Sequence, residues 1–171
     1  MEIVLFLFGL AAGSFLNVVA LRYHPDKFLL SRAIIGGWSA CPHCGHKLSW
    51  FDLIPLASFA MAGARCRYCH RKISWQYPIV ELLSGLIFVY VPQFVTSLIG
   101  PADSPIISIT LNVIWVLVLL TLLLVSLIDI RTNLIPDETN LFLGTLGILL
   151  TFLAAKEFSL ANGSSLGSYA L

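Results

Sequence analysis

Four cysteines stand in two matching frames, Cys41-Pro42-His43-Cys44 and Cys66-Arg67-Tyr68-Cys69, with 21 residues between them. Two Cys-x-x-Cys knuckles each offer two sulfurs to one tetrahedral ion, so the spacing points to a structural zinc site on Cys41, Cys44, Cys66 and Cys69. Gly45 suits the tight turn that a knuckle needs. Reduced, unliganded thiols and a redox pair are the weaker alternatives, because free thiols have little need of this paired spacing. His43, His46 and His70 sit beside the cysteines and read as solvated loop side chains.

Carboxylates offer a second chemistry. Asp129 ends a long uncharged run and so falls at the edge of an apolar helix, where a carboxylate is costly and usually functional, suited to general acid or base work. The bland alternative is an interfacial aspartate that reaches water or pairs with Arg131. Metal-free peptide hydrolysis needs two carboxylates sharing a proton. Asp137 is a poor partner: eight residues of helix span roughly 12 Å, and Pro136 disfavours helix at Ile135, so only a folded-back loop would bring the two together. Asp137 reads instead as the N-cap of a following helix, with Glu138 behind it. Glu81 is the other acid near an apolar run on the same side, either functional or a first-turn charge favoured by the helix dipole.

The elements that must position these groups are membrane spans. Of 171 residues, 58% are hydrophobic and 11% charged, where an ordinary soluble domain carries about 25% charged residues. Disordered, collagenous and nucleic-acid-binding classes are excluded. Uncharged runs at Ile3–Leu21, Leu82–Ala102, Ser104–Ile128 and Thr139–Ala155 predict four spans, the second kinked at Pro92. Eight of the ten Lys and Arg residues lie between the first and second runs, which predicts a cytoplasmic loop. Threading from there puts the amino terminus and the Gly100–Ser104 turn outside and the Asp129–Glu138 loop inside. The net charge of +1 names no partner, and no internal repeat is apparent.

The expected fold is therefore an all-α polytopic membrane protein of about four transmembrane helices with a small cytoplasmic zinc-binding loop domain. Residues 1–21 form the first helix, 22–78 the four-cysteine zinc-binding domain, and 79–157 helices two to four with the Asp129 loop. Residues 158–171 are expected as an external loop and the start of another helix.

Several strings, taken in order, resemble one family. They are Gly13-Ser14-Phe15-Leu16-Asn17-Val18-Val19, the two Cys-x-x-Cys pairs, and Asp52-Leu53-Ile54-Pro55 between them. Ile73-Ser74-Trp75-Gln76-Tyr77-Pro78-Ile79-Val80-Glu81 follows, and then Asp129 to Asp137. Together they are similar to the bacterial prepilin peptidases, the bifunctional leader peptidase and N-methyltransferase of type IV pilus and type II secretion systems. The resemblance implies a Gly-x-Gly-Asp aspartic endopeptidase of the bacterial inner membrane. It would remove the basic leader of prepilins or pseudopilins and methylate the new amino terminus with S-adenosylmethionine. It assigns Asp129 as the first catalytic aspartate, the four cysteines as metal ligands, and Glu81 and Gly85 as candidates for the methylation site. Membrane lipid is the other expected partner, and Asp26 and Asp52 are candidates to meet the leader.

The Gly-x-Gly-Asp motif that carries the second aspartate does not occur in these residues. A truncated chain without proteolytic activity is the resulting expectation. A non-proteolytic zinc-bearing membrane scaffold and a stand-alone N-methyltransferase are the rival readings.

Overall fold

The computed structural model describes the backbone of residues 1–99 and 104–166, and side chains as far as residue 155 outside positions 99–103. Four long helices dominate: α1 (Glu2–Arg22), α4 (Gln76–Ile99), α5 (Pro105–Thr132) and α6 (Asp137–Leu166). All four are long and apolar enough to cross a membrane. Large apolar side chains such as Leu7, Phe8, Phe94, Ile106 and Leu141 face outward, as a lipid solvent requires. Between α1 and α4 lies a compact segment with two short helices, α2 (Arg32–Ile35) and α3 (Ala57–Met61), and one 3-10 turn (Trp50–Leu53). Among the described residues there is no β-strand beyond two isolated bridges, Ala40 with Lys47 and Arg65 with Lys72.

The main seam of the bundle joins α1 to α4, antiparallel. Asn17 Nδ2 donates to the Tyr77 carbonyl at 3.2 Å, and at the far end Gln93 Nε2 donates to Glu2 Oε1 at 3.1 Å. Between these ties, glycines let the backbones meet: a Cβ on Gly9 would stand 2.6 Å from the Ser84 carbonyl, and one on Gly13 would stand 2.8 Å from the Glu81 Cα. Small residues four apart are the usual means of close approach between helices in lipid, where burial from water gives no driving force. Helix α5 packs on α4 and α1, and α6 packs on α5.

The largest buried cluster lies at one end of this bundle. Val19, Ala20 and Tyr23 of the α1 end pack with Leu29, Ile34, Val80, Leu124, Leu127 and Ile128. Arg22 ties the compact segment to the same point, donating to the Ile34, Gly36 and Trp38 carbonyls. That satisfies carbonyls at the end of α2 which the short helix leaves without partners.

Helix limits differ from the uncharged runs in ways that follow from local chemistry. α4 begins at Gln76 rather than Leu82 because Ser74 Oγ accepts the Gln76 N–H at 3.2 Å, so Glu81 lies within the helix. Pro92 lies inside it. α5 runs past Ile128 to Thr132 and is closed by Asn133 in the left-handed conformation (φ 51°), whose N–H bonds the Asp129 carbonyl. Asp137 is the first residue of α6 rather than its cap: the Thr139 hydroxyl and N–H both donate to the Pro136 carbonyl, so Pro136 fills the capping position. α6 extends to Leu166, so helix occupies the first part of the stretch expected as a loop from residue 158. The expected Gly100–Ser104 turn and the start of a further helix from Ser165 to Leu171 fall on or run into residues outside those described.

Candidate functional site: a four-thiol centre above a buried glutamate

The two cysteine knuckles are built alike. In each, the first cysteine's N–H bonds a carbonyl five residues on, Cys41 to His46 at 3.0 Å and Cys66 to Arg71 at 2.9 Å. In each, its carbonyl accepts an N–H four residues on, from Gly45 and His70, both at 2.9 Å. Gly45 (φ 69°) and His70 (φ 57°) both take the left-handed conformation. The match continues outward: Leu48 N–H bonds Ser39 and Ile73 N–H bonds Ala64, after which Ser49-Trp50 and Ser74-Trp75 each begin helical structure. The segment is thus an internal repeat with a 25-residue period. Sequence reading missed it because Cys, Lys47/Lys72, Ser49/Ser74 and Trp50/Trp75 are nearly all that the copies share.

This duplication converges the four sulfurs. The Sγ atoms of Cys41, Cys44, Cys66 and Cys69 all lie within 4.8 Å of one another, Cys41 to Cys69 at 3.9 Å. Ligands at about 2.3 Å from a tetrahedral zinc stand about 3.8 Å apart, so the donor set fits that ion. No disulfide joins them. Burial works against the Cys41 thiolate, but N–H groups of Cys44 and His43 and the Cys44 and Cys66 thiols bring Cys41 down to about 7. Against one N–H from Arg71, burial and the other three sulfurs push Cys69 up to about 11. A dication would displace these protons together, which couples the site's formation to folding of the segment.

Asp52 stitches the halves together. Its Oδ2 accepts the Ser49 hydroxyl at 2.7 Å and the Ser49 N–H at 3.1 Å, and its Oδ1 lies 3.5 Å from Arg67 Nε in the second knuckle. The Ser49 hydroxyl, then the Ser49 N–H and the Arg67 guanidinium, hold Asp52 below the usual carboxylate range despite its burial. A carboxylate so engaged is a structural tie, not a free acceptor for a basic leader.

Below the thiol centre lies a cavity of about 480 Å³. Its walls come from several elements: Ser14 and Val18 of α1, Tyr77 and Glu81 of α4, Phe59 of α3, Trp38, Cys41 and Cys66 of the compact segment, and Arg131 of α5. Glu81 is 7% exposed, and its Oε2 accepts the Leu56 N–H at 2.8 Å. The motif that begins at Gly13 is thereby explained: Gly13 admits the α4 backbone, Ser14 faces the cavity, and Asn17, fully buried, ties the first turn of α4.

The remaining expected site residues lie elsewhere. Gly85 is buried in the α1–α4 seam, where a Cβ would meet the Phe6 ring at 2.6 Å, and it does not line the cavity. Asp129 is exposed in the last turns of α5. Among the described residues it forms no ion pair, and Arg131 turns to α1 instead. Asp137 is exposed at the start of α6. It and Glu138 lie near Tyr23, whose phenol is pushed up by burial and then by those two carboxylates. No hydrogen bond joins Asp129 to Asp137.

Comparison with known proteins bears on the whole arrangement. Residues 7–94 match the family model described as the Bacterial Peptidase A24 N-terminal domain, a stretch that holds most of α1, the thiol centre and most of α4. A prepilin leader peptidase/N-methyltransferase of Myxococcus xanthus is 49% identical over 86 residues, covering 50% of this chain and 24% of the relative. Proteins of the same name from Aeromonas hydrophila and Klebsiella pneumoniae are 34% and 36% identical over 88% of this chain, and 54% and 61% of theirs. The chain thus spans little more than half the length of the longer-matching relatives. No solved structure matches it. With the family model covering the thiol centre and the cavity-forming seam, the chain belongs to the bacterial A24 peptidases, the family of the prepilin leader peptidase/N-methyltransferases.

Proposed function

We propose that this chain carries the methylating half and the first catalytic aspartate of a prepilin leader peptidase/N-methyltransferase. Its substrates are type IV prepilins or pseudopilins, of a pilus or a type II secretion system, and its methyl donor is S-adenosylmethionine. The observation that carries this reading is the buried Glu81 carboxylate in the floor of a cavity roofed by the thiol centre. The cavity suits a nucleoside bearing a sulfonium: its volume is that of a cofactor site and Trp38, Phe59 and Tyr77 line it. Of its two acids Asp52 is engaged by Ser49 and Arg67, and of its arginines Arg22 and Arg131 are engaged by backbone carbonyls, which leaves Glu81 to meet the positive charge. When bound, the donor supplies an activated methyl group. Glu81 holds the positive charge in place, and Cys41, Cys44, Cys66 and Cys69 would hold a structural zinc that keeps this wall of the cavity folded. Gly85 acts at one remove, by letting α1 and α4 approach so that Glu81 faces the cavity.

Leader cleavage belongs to Asp129. Deprotonated, it activates a water, while a protonated partner from a Gly-x-Gly-Asp segment polarises the scissile carbonyl and donates to the leaving amine. The surplus of cations in the thiol segment supports a cytoplasmic position for it and for Asp129, in the bacterial inner membrane. Membrane lipid is the surrounding partner, and no nucleic acid is involved.

The test uses the intact native protein with a prepilin substrate. Asp129→Asn should abolish cleavage and leave methylation of a pre-cleaved pilin intact, whereas Glu81→Gln should do the reverse. Cleavage by Asp129→Asn at the wild-type rate, or undiminished methylation by Glu81→Gln, overturns the corresponding half.

A further inference from the structure

Glu81 already has an occupant. Its Oε2 is taken by the Leu56 N–H at 2.8 Å, and Leu56 is a non-glycine residue at φ 59°, ψ −47°. The next N–H, of Ala57, turns back to the Pro55 carbonyl at 2.6 Å, which makes Pro55-Leu56-Ala57 a γ-turn of the rare, strained kind. Strain of this sort persists only where surrounding contacts hold it, and it collects at ligand clamps and switches. The holding contact here is a carboxylate on another helix, and helix α3 begins at the following residue, Ala57. Ser58, Phe59 and Ala62 then form part of the cavity wall.

We propose that the Leu56 N–H is a built-in competitor for Glu81, and that α3 is a latched lid over the cavity which a positively charged ligand releases. A cation brought to Glu81 draws the carboxylate towards itself by direct charge attraction, in a site shielded from water, and a single amide dipole holds it less strongly. Freed of its acceptor, Leu56 leaves the strained conformation and α3 loosens. A ligand of the same shape without the charge leaves the latch closed. The cavity thereby distinguishes a sulfonium or ammonium compound from its neutral counterpart by a movement of the lid. The identity of that cation rests on the proposed methyl-donor reading; the latch itself does not.

Hydrogen exchange of the full chain in lipid nanodiscs, followed by mass spectrometry, tests both parts. Without ligand, Glu81→Ala should speed exchange of the Leu56–Met61 amides about tenfold or more, the loss expected for one hydrogen bond to a charged group. Leu56→Gly, which adopts φ near +60° without strain, should slow it about fivefold. The knuckle amides of Cys41 and Cys66 report whether each variant keeps its fold. Wild-type exchange at 56–61 in both folded variants overturns the latch. S-adenosylmethionine should then speed exchange at 56–61 in the wild type, and S-adenosylhomocysteine, its neutral product, should not. Binding of S-adenosylmethionine by equilibrium dialysis with unchanged exchange overturns the lid and spares the donor assignment. Failure of both compounds to bind overturns the donor assignment, and the two variants still decide the latch.

Discussion

Arg131 Nη1 donates to the Ala20 carbonyl at 2.5 Å, joining the last turn of α5 to the last turn of α1. That carbonyl lies among the final four of α1, which lack intrahelical partners and carry the negative end of the helix dipole, so a guanidinium suits it. Ile128, fully buried against Val19 and Ala20, fixes the same turn from the apolar side. Asp129 is thus exposed yet anchored by its neighbours on both sides. Arg131→Ala should destabilise the chain by about 1.5–3 kcal/mol, the range for a hydrogen bond with one charged partner. Thermal unfolding in detergent measures it, and Arg131→Lys should recover part of the loss.

The α1–α4 seam sets a steric limit. Gly13→Val would place a Cβ 2.8 Å from the Glu81 Cα and the Val80 carbonyl, and neither backbone has room to yield. Overpacking of this kind typically costs about 1–3 kcal/mol. Disulfide cross-linking between cysteines introduced at Glu2 and Gln93, which meet at the far end of the seam, should fall in the variant if the helices separate.

The repeat makes opposite outcomes expected at equivalent positions. Gly45 and His70 share the left-handed conformation, which costs a side-chain-bearing residue roughly 1–2 kcal/mol. His70→Gly should therefore slow zinc release to a chelator, and Gly45→Ala should hasten it. If both substitutions hasten release, the His70 side chain has a role beyond its backbone.

Asp52 gives a pH dependence whose sign is fixed. Its folded-state pKa lies below the ordinary value, so its carboxylate stabilises the module above the ordinary value, about 3.9, and that stabilisation is lost as the pH falls through the folded value. Thiolate protonation hastens zinc release in any chain, so the informative quantity is a ratio. The release rate of Asp52→Asn relative to wild type should be above one and flat from pH 8 to about 5. It should decline towards one only below about 4. A ratio that falls between pH 7 and 6 would point to a different titrating group.

Much of this architecture could be read from residue order. Four spans and the four sulfurs depend on runs and spacings that a sequence displays directly, and the structure has four apolar helices and one thiol cluster in those places. Boundaries were harder, because a charge such as Glu81 or Asp129 looks like the end of an apolar run even when the helix carries it inside. The close approach at Gly9 and Gly13 was hidden, because nothing in the sequence names the helix that meets them. The Leu56 turn was hidden altogether: leucine seldom takes positive φ, and what holds it there is a carboxylate 25 positions away. Asp52 looked available for a leader because nothing in its neighbourhood in sequence announces Arg67 as its partner.

The duplicated knuckles have a consequence for assembly. Each copy supplies two of four sulfurs and is by itself half a site. Two separate half-sites would bridge neighbouring molecules as readily as they would fold. Tethered by the 21 residues between Cys44 and Cys66, the second half meets the first at an effective concentration of the order of millimolar. That exceeds what chains confined to different molecules would normally offer. The repeat therefore turns a metal that could cross-link copies of the chain into one that closes each copy on itself.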